Sequence, residues 1–237
     1  MLLFDNLTKV YAGGKVAVDS LNLKVESGDI FGFIGHNGAG KTTAIKCAVG
    51  LTGITSGDVL VDGVSISKNP NECKRLFSFV PDNPDVYEYL TGIQYLNFLA
   101  DVYKIDKADR EKSIYSLTDK FEITDALGNL ISSYSHGMKQ KLVLTGAIFR
   151  RPRLLILDEP FVGLDPQSIV ALKEIMKDLC ADGTAVFFST HVLDVAERLC
   201  NKVAIIKQGK LVASGKTEEL TEGKTLEETF MEVVKNV

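Results

Sequence analysis

The run GHNGAGKT at positions 35–42 has the residue types and the spacing to hold a phosphate. It fits G-x-x-x-x-G-K-[ST], and it lies between the apolar run IFGFI (30–34) and a helix-like stretch over 42–49, the context in which that pattern has a mechanism. Gly35, Gly38 and Gly40 let the backbone wrap closely, so that the amides of the loop, those of His36, Asn37 and Ala39 among them, point at phosphate oxygens. The positive end of the following helix adds to them. Lys41 is expected to reach the β and γ phosphates of a nucleoside triphosphate. Thr42 is expected to offer its hydroxyl to Mg²⁺, and Thr43 to donate on the α-phosphate side.

A phosphate loop needs an acidic partner for the metal and the attacking water, and LLILDEP (154–160) supplies one at the end of an apolar strand. Asp158 is expected to hold Mg²⁺ through water, and Glu159 to polarise the attacking water as general base. Taken alone, a strand ending in Asp-Glu could be only the start of a polar loop, whereas the phosphate loop is specific in its strand and helix context. Together they define an ATP-hydrolysing site.

The elements that must position these residues are visible as changes of period. LNLKVES alternates apolar and polar residues and leads into IFGFIG (30–35), as strands do. TSGDVLVDGVSI carries Gly57 and Asp62-Gly63 as turn residues around a short strand, the pattern of a β hairpin. From 91 to about 149 the spacing becomes helical, with Ile93, Leu96, Leu99 and Val102 taken as one face and Thr91 as N-cap. Strand and helix then alternate: LLILD (154–158), a helix over 166–180, AVFFST (185–190), a helix over 192–200 and VAIIKQG (203–209). Near-continuous apolar strands alternating with helices indicate an α/β fold with a mostly parallel sheet covered on both faces. The expectation is a single unit over 1–237. It has a phosphate-loop NTPase core with an N-terminal antiparallel β subdomain (1–90 and 150–237), and an inserted α-helical subdomain over 91–149. Leu226, Phe230 and Val233 lie on one face of a last helix (225–235), expected to cap its own domain.

Composition narrows the function. Lys and Arg total 27 against 31 for Asp and Glu, so the formal net charge of −4 gives no footprint for nucleic acid or an anionic lipid surface. No run approaches the ~18 apolar residues of a membrane span, and MLLFDNLTKV does not read as a secretory signal, so residence in the cytosol is expected. Cys47, Cys73, Cys180 and Cys200 have neither C-x-x-C pairing nor metal-ligand spacing and are expected as free thiols.

The segment YSHGMKQK (134–141), lying shortly before the Asp158 strand, resembles the signature motif of the nucleotide-binding domains of ABC transporters, and the resemblance extends over essentially the whole chain. It implies that Ser135 and Gly137 contact the γ phosphate of a nucleotide held by a second such domain. Tyr11 would lie against adenine, and Asp165 in GLDP (163–166) would cross the dimer interface. His191 would be the switch histidine at the γ phosphate and the hydrolytic water. His136 and Met138 depart from the usual signature, in the manner of the bacterial branch that serves multispanning export permeases. At VPDN (80–83) the family's usual Gln is replaced by Asp82, where metal contact, a water bridge and a purely structural role stay open. The resemblance further implies ATP and Mg²⁺ as cofactors, and a homodimer or a paralogue heterodimer as the working pair. A separate membrane permease would be the partner, reached from the cytoplasmic face of the membrane. The alternative is a soluble ATPase of the same type serving a protein-assembly complex.

Overall fold

The computed structural model describes residues 1–235; positions 236 and 237, part of the expected core segment, lie outside them. The chain opens with antiparallel strands β1 (Leu2–Val10) and β2 (Val16–Val25), then β3 (Ile30–Ile34), the phosphate loop and helix α1 (Lys41–Ala48). A hairpin of β4 (Ser56–Val61) and β5 (Val64–Ser65) follows, then the short α2 (Pro70–Cys73) and β6 (Phe77–Val80). Helices α3 (Gly92–Val102), α4 (Lys107–Lys120) and α5 (His136–Ile148) form the insertion. The chain returns through β7 (Leu154–Asp158), α6 (Pro166–Ala181), β8 (Ala185–Thr190), α7 (Leu193–Leu199), β9 (Lys202–Lys207) and β10 (Lys210–Lys216), and closes with α8 (Thr217–Thr221) and α9 (Leu226–Lys235).

Two sheets result. One is antiparallel in the order β2-β1-β4-β5; the other runs β10-β9-β3-β8-β7-β6, parallel except for the antiparallel edge strand β10. The central strands β3, β7 and β8 are buried along their whole length, because side chains of alternate residues serve opposite layers. In β8, Phe187 faces the antiparallel sheet, with ring centroids 5.8, 6.0 and 5.5 Å from Phe4, Phe31 and Phe33. Its neighbour Phe188 faces the helical layer, 5.7 Å from Phe161. These apolar strands lock the register of the parallel sheet: Ile34 pairs with Thr190, and Asp158 with Ser189. The C-terminal ends of β3, β7 and β8, which carry the phosphate loop, Asp158-Glu159 and His191, are thereby set side by side.

The fold class is as expected, but two local expectations fail. Helix α3 starts at the Thr91 cap, with Gln94 N donating to Thr91 Oγ1 (3.3 Å) and Thr91 N donating to Gln94 Oε1 (2.9 Å). Its buried residues, however, are Gly92, Leu96 and Ala100, and Val102 is 56% exposed. Nine residues are about two and a half turns, so Val102 points away from the face that Ile93 begins. Gly57 is not a turn residue but lies inside β4 at φ +79, where a β carbon would sit 2.2 Å from Asn6 O. It faces an irregularity in the β1 pairing between Asp5 and Thr8, and the close approach of the two backbones there demands glycine.

Candidate functional site

The phosphate loop is built around backbone positions that only glycine satisfies. Gly40, the N-cap of α1, has φ 112, and a β carbon on it would lie 2.4 Å from Ala17 O; one on Gly35 would lie 2.5 Å from Ile206 O. Gly38 has φ +82 with open space around its missing β carbon. Left-handed backbone and close packing together make Gly40→Ala costly, by about 1–3 kcal/mol of strain. At 237 residues this lowers Tm by about 2–12 °C. A calorimetric melt at the wild-type Tm would contradict the contact with Ala17.

Lys41 is 5% exposed, unusual for a lysine. Its Nζ donates to Gly35 O at 2.6 Å and to His36 O at 3.4 Å, and stands 3.5 Å from Glu159 Oε1. The ammonium is thus stretched along the inside of the loop, between the loop carbonyls and the strand-end carboxylate. Glu159 is held in turn: its N–H donates to Ser189 Oγ (3.0 Å) and its Oε2 meets His191 Nδ1 at 3.0 Å. Its φ of 47 is left-handed, a conformation that turns the chain sharply at the end of β7 and is disfavoured for a residue with a side chain.

Asp158, one residue earlier, is 1% exposed. Burial pushes its carboxyl above the ordinary range and the charges of Asp82 and Glu159 push the same way, against the Ser189 and Thr42 hydroxyls beside it. A buried carboxylate whose neighbours are hydroxyls and other carboxylates suits a hard divalent cation. Among the described residues no three His, Cys, Asp or Glu side chains converge to hold a metal by themselves. That donor set matches Mg²⁺, which takes one or two protein oxygens and fills its remaining positions with water and substrate phosphates.

Tyr11, His36, Asn37, Gly38, Gly40, Lys41, Thr42, Thr43, Asp82 and Glu159 line one cleft of about 610 Å³. Gly35 and Ala39 complete the loop behind it, where Ala39 O accepts from Gly209 N (2.8 Å). Tyr11 is 40% exposed on the rim, its hydroxyl 3.4 Å from Thr43 Oγ1 and its ring 5.1 Å from Lys9 Nζ, a broad face open to a planar base. Asp82, also in the lining, accepts from Asn83 N (3.0 Å).

Ser135 and Gly137 are not brought into this cleft. Ser135 is exposed and caps α5, its hydroxyl accepting from Met138 N at 3.2 Å. Gly137 packs so tightly that a β carbon would lie 2.6 Å from Gly163 O, and one on Gly163 would meet the His136 ring at 2.7 Å. Lys141 pairs with Asp165 at 2.7 Å and holds that carboxyl far below the usual range, while Asp165 caps α6 through Ser168 N (2.9 Å). The start of α5 and the turn that follows Glu159 are therefore tied into one body.

Sequence inspection missed Ser189, whose hydroxyl donates to Asp158 Oδ1 while accepting from Glu159 N. The available signal was a polar pair, Ser189-Thr190, ending an otherwise apolar strand. It also missed Lys15, Ala17 and the Gln208-Gly209 turn, which line the cleft.

A Gly-rich loop between strand and helix, a buried loop lysine and paired acids at the end of a strand two places along the same sheet define a nucleoside-triphosphatase of the phosphate-loop class. Residues 18–162 match the ABC transporter family. The chain is 34% identical over 240 residues to the ABC-type transporter ATP-binding protein EcsA of Bacillus subtilis, covering 99% of this chain and 97% of that protein. It is 37% identical over 208 residues to the bacitracin transport ATP-binding protein BcrA of Bacillus licheniformis, covering 87% and 67%. Among solved structures, an ATP-binding subunit of an ABC transporter superposes with a TM-score of 0.94 at 32% identity, over 99% of both chains. The chain belongs to the ABC transporter family, as an ATP-binding cassette that hydrolyses ATP.

Proposed function

We propose that this chain is the motor of an exporter: it binds and hydrolyses ATP as one of a pair of cassettes and drives a separate membrane-spanning permease. The observation that carries the coupling is a shared strand. A second cavity, of about 310 Å³, is lined by Leu51, Phe77, Phe79, Tyr95, Leu99 and Tyr103, with Arg150 stacked 4.0 Å over the Tyr103 ring. Its residues Phe77–Phe79 belong to β6, and the turn after β6 carries Asp82 into the nucleotide cleft. An apolar cavity with an aromatic wall, on the strand that leads into the nucleotide cleft, suits a short cytoplasmic helix of the permease. Movement at Asp82 is then movement of the cavity wall.

Within the site, Lys41 binds the β and γ phosphates, Tyr11 stacks on the base, and Glu159 takes the proton of the attacking water, oriented by His191. Thr42 and Asp158, together with Asp82, would hold Mg²⁺, which would neutralise charge on the phosphates. Because Ser135 is exposed, and both it and the half-buried Gly137 lie outside the chain's own cleft, they serve the nucleotide of the second cassette, a homodimer partner or a paralogue. Residues 91–149 act as the arm that carries them, against a core of 1–90 and 150–237. Among the described residues no helix is long and apolar enough to cross a membrane. The chain works from the cytoplasmic face, and the export direction rests on the signature variant with His136 and Met138.

Leu51, 63% exposed at the lip of the cavity, provides the test. Leu51→Asp is expected to keep basal ATP hydrolysis in solution within about twofold, since exposed substitutions rarely perturb the fold. It should reduce recovery of the chain with washed host membranes at least fivefold. Equal membrane recovery would remove this cavity as the docking site.

A further inference from the structure

We propose that the C-terminal helix α9 positions the phosphate loop, with Phe230 as the positioning residue that sets affinity for the nucleotide; the inference rests on the loop being the ATP site. Phe230 is 4% exposed and its ring meets the edge of the His36 ring, centroids 4.9 Å apart at 75°. His36 is the second residue of the loop, and its carbonyl is one of the two that hold the Lys41 ammonium. A shift of the His36 backbone therefore shifts an oxygen that the catalytic lysine leans on.

The helix is fixed at both ends by groups that belong to the core. Leu226 N donates to Glu197 Oε2 of α7 (2.7 Å), and Lys207 Nζ, at the end of β9, donates to Val234 O (2.5 Å). The turn after Lys207 is itself bonded to the loop, through Gly209 N and Ala39 O (2.8 Å). The loop is thus held from one side by the β9–β10 turn and from another by α9. Both supports converge on Lys207, so α9 and the loop move as one unit. A helix that only covered its own core would need no aromatic ring on a nucleotide-binding residue. Leu226, fully buried on the same helix, packs into the same core as Phe230.

The reciprocal consequence is that nucleotide binding steadies α9, because a ligand that prefers the braced loop must stabilise the brace by the same factor. The test compares affinity for a fluorescent ATP analogue, and KM and kcat for ATP, in the wild-type chain, Phe230→Leu, Phe230→Ala and Met231→Ala. Met231 is 46% exposed on the same helix and serves as control. Phe230→Leu keeps most of the apolar volume and loses the ring. It is expected to weaken analogue binding about three- to tenfold, the range of a single aromatic pair, and to raise KM while leaving kcat at saturating ATP unchanged. In a His36→Ala background it has no further effect, the mark of a coupled pair. Loss of folded protein would instead lower kcat at constant KM. Lys41→Ala is carried alongside: retained analogue binding in that variant overturns the loop as the ATP site and this inference with it. Lost binding in Lys41→Ala with wild-type affinity in Phe230→Leu overturns the brace alone. If the Phe230 variants do not fold, hydrogen exchange on the unaltered chain decides. Slower exchange of the amides of 226–235 with the analogue bound supports the brace, and unchanged exchange refutes it.

Discussion

With Glu159→Gln, phosphate release from ATP falls by about 10²–10⁴-fold while ATP is still bound, and the chain elutes as a dimer from gel filtration when ATP is present. The substitution keeps the side-chain shape and its place between Lys41 and His191, but an amide has no proton affinity with which to take a proton from water. Its 3.5 Å approach to Lys41 and 3.0 Å contact with His191 show a carboxylate already held at the phosphate end of the cleft. The dimer is expected from the proposed pairing, in which ATP that is not hydrolysed keeps its contacts to the loop of one cassette and to Ser135 and Gly137 of the other. Hydrolysis at the wild-type rate would return Glu159 to a structural role. A monomer at saturating ATP would remove the paired arrangement while leaving the single site intact.

Lys41→Ala acts one step earlier, on binding. The ammonium is buried at 5% exposure and its partners are two loop carbonyls and a carboxylate, so nothing nearby replaces its charge. Two charge-assisted hydrogen bonds to phosphate, at about 1.5–3 kcal/mol each, amount to a loss of about 100-fold or more in ATP affinity. Titration of a labelled ATP analogue reads this directly. The two variants separate the roles: one binds and does not turn over, the other does not bind.

The parts of the site legible in the sequence are those in which chemistry and backbone demand agree. Gly35, Gly38 and Gly40 with Lys41 and Thr42 declare both a turn and a ligand, and Asp158-Glu159 stands out as a charged pair closing an apolar strand. Such signals are local, and the parallel sheet needed only the alternation of apolar strands with helices. Contacts between distant segments left no comparable mark. Phe230 looks like one apolar position of an amphipathic helix, and only packing brings it to His36. Ser189 was absorbed into a strand pattern although its register opposite Asp158 gives it two hydrogen bonds in the site. Gly57 and Val102 were misplaced for a different reason. A glycine marks either a turn or a close approach, and residues spaced by three drift around a helix of about 3.6 residues per turn until the face is lost.

His136 shows what a departure from the usual signature does in this fold. Its ring covers Gly163, so the α5 N-terminus and the turn beyond Glu159 are packed through a side chain that a glycine there would lack. With the Lys141–Asp165 pair, this contact ties the start of α5 to the turn that follows Glu159.

The central claim, that ATP binding here drives a membrane partner, is tested most directly by recovering tagged Glu159→Gln protein with ATP from detergent-solubilised membranes of its host and identifying what accompanies it. The account predicts a multispanning membrane protein in about equal amount, lost when Leu51→Asp is added. Soluble partners alone, or none, would contradict the transporter assignment and point to an ATPase serving a soluble assembly.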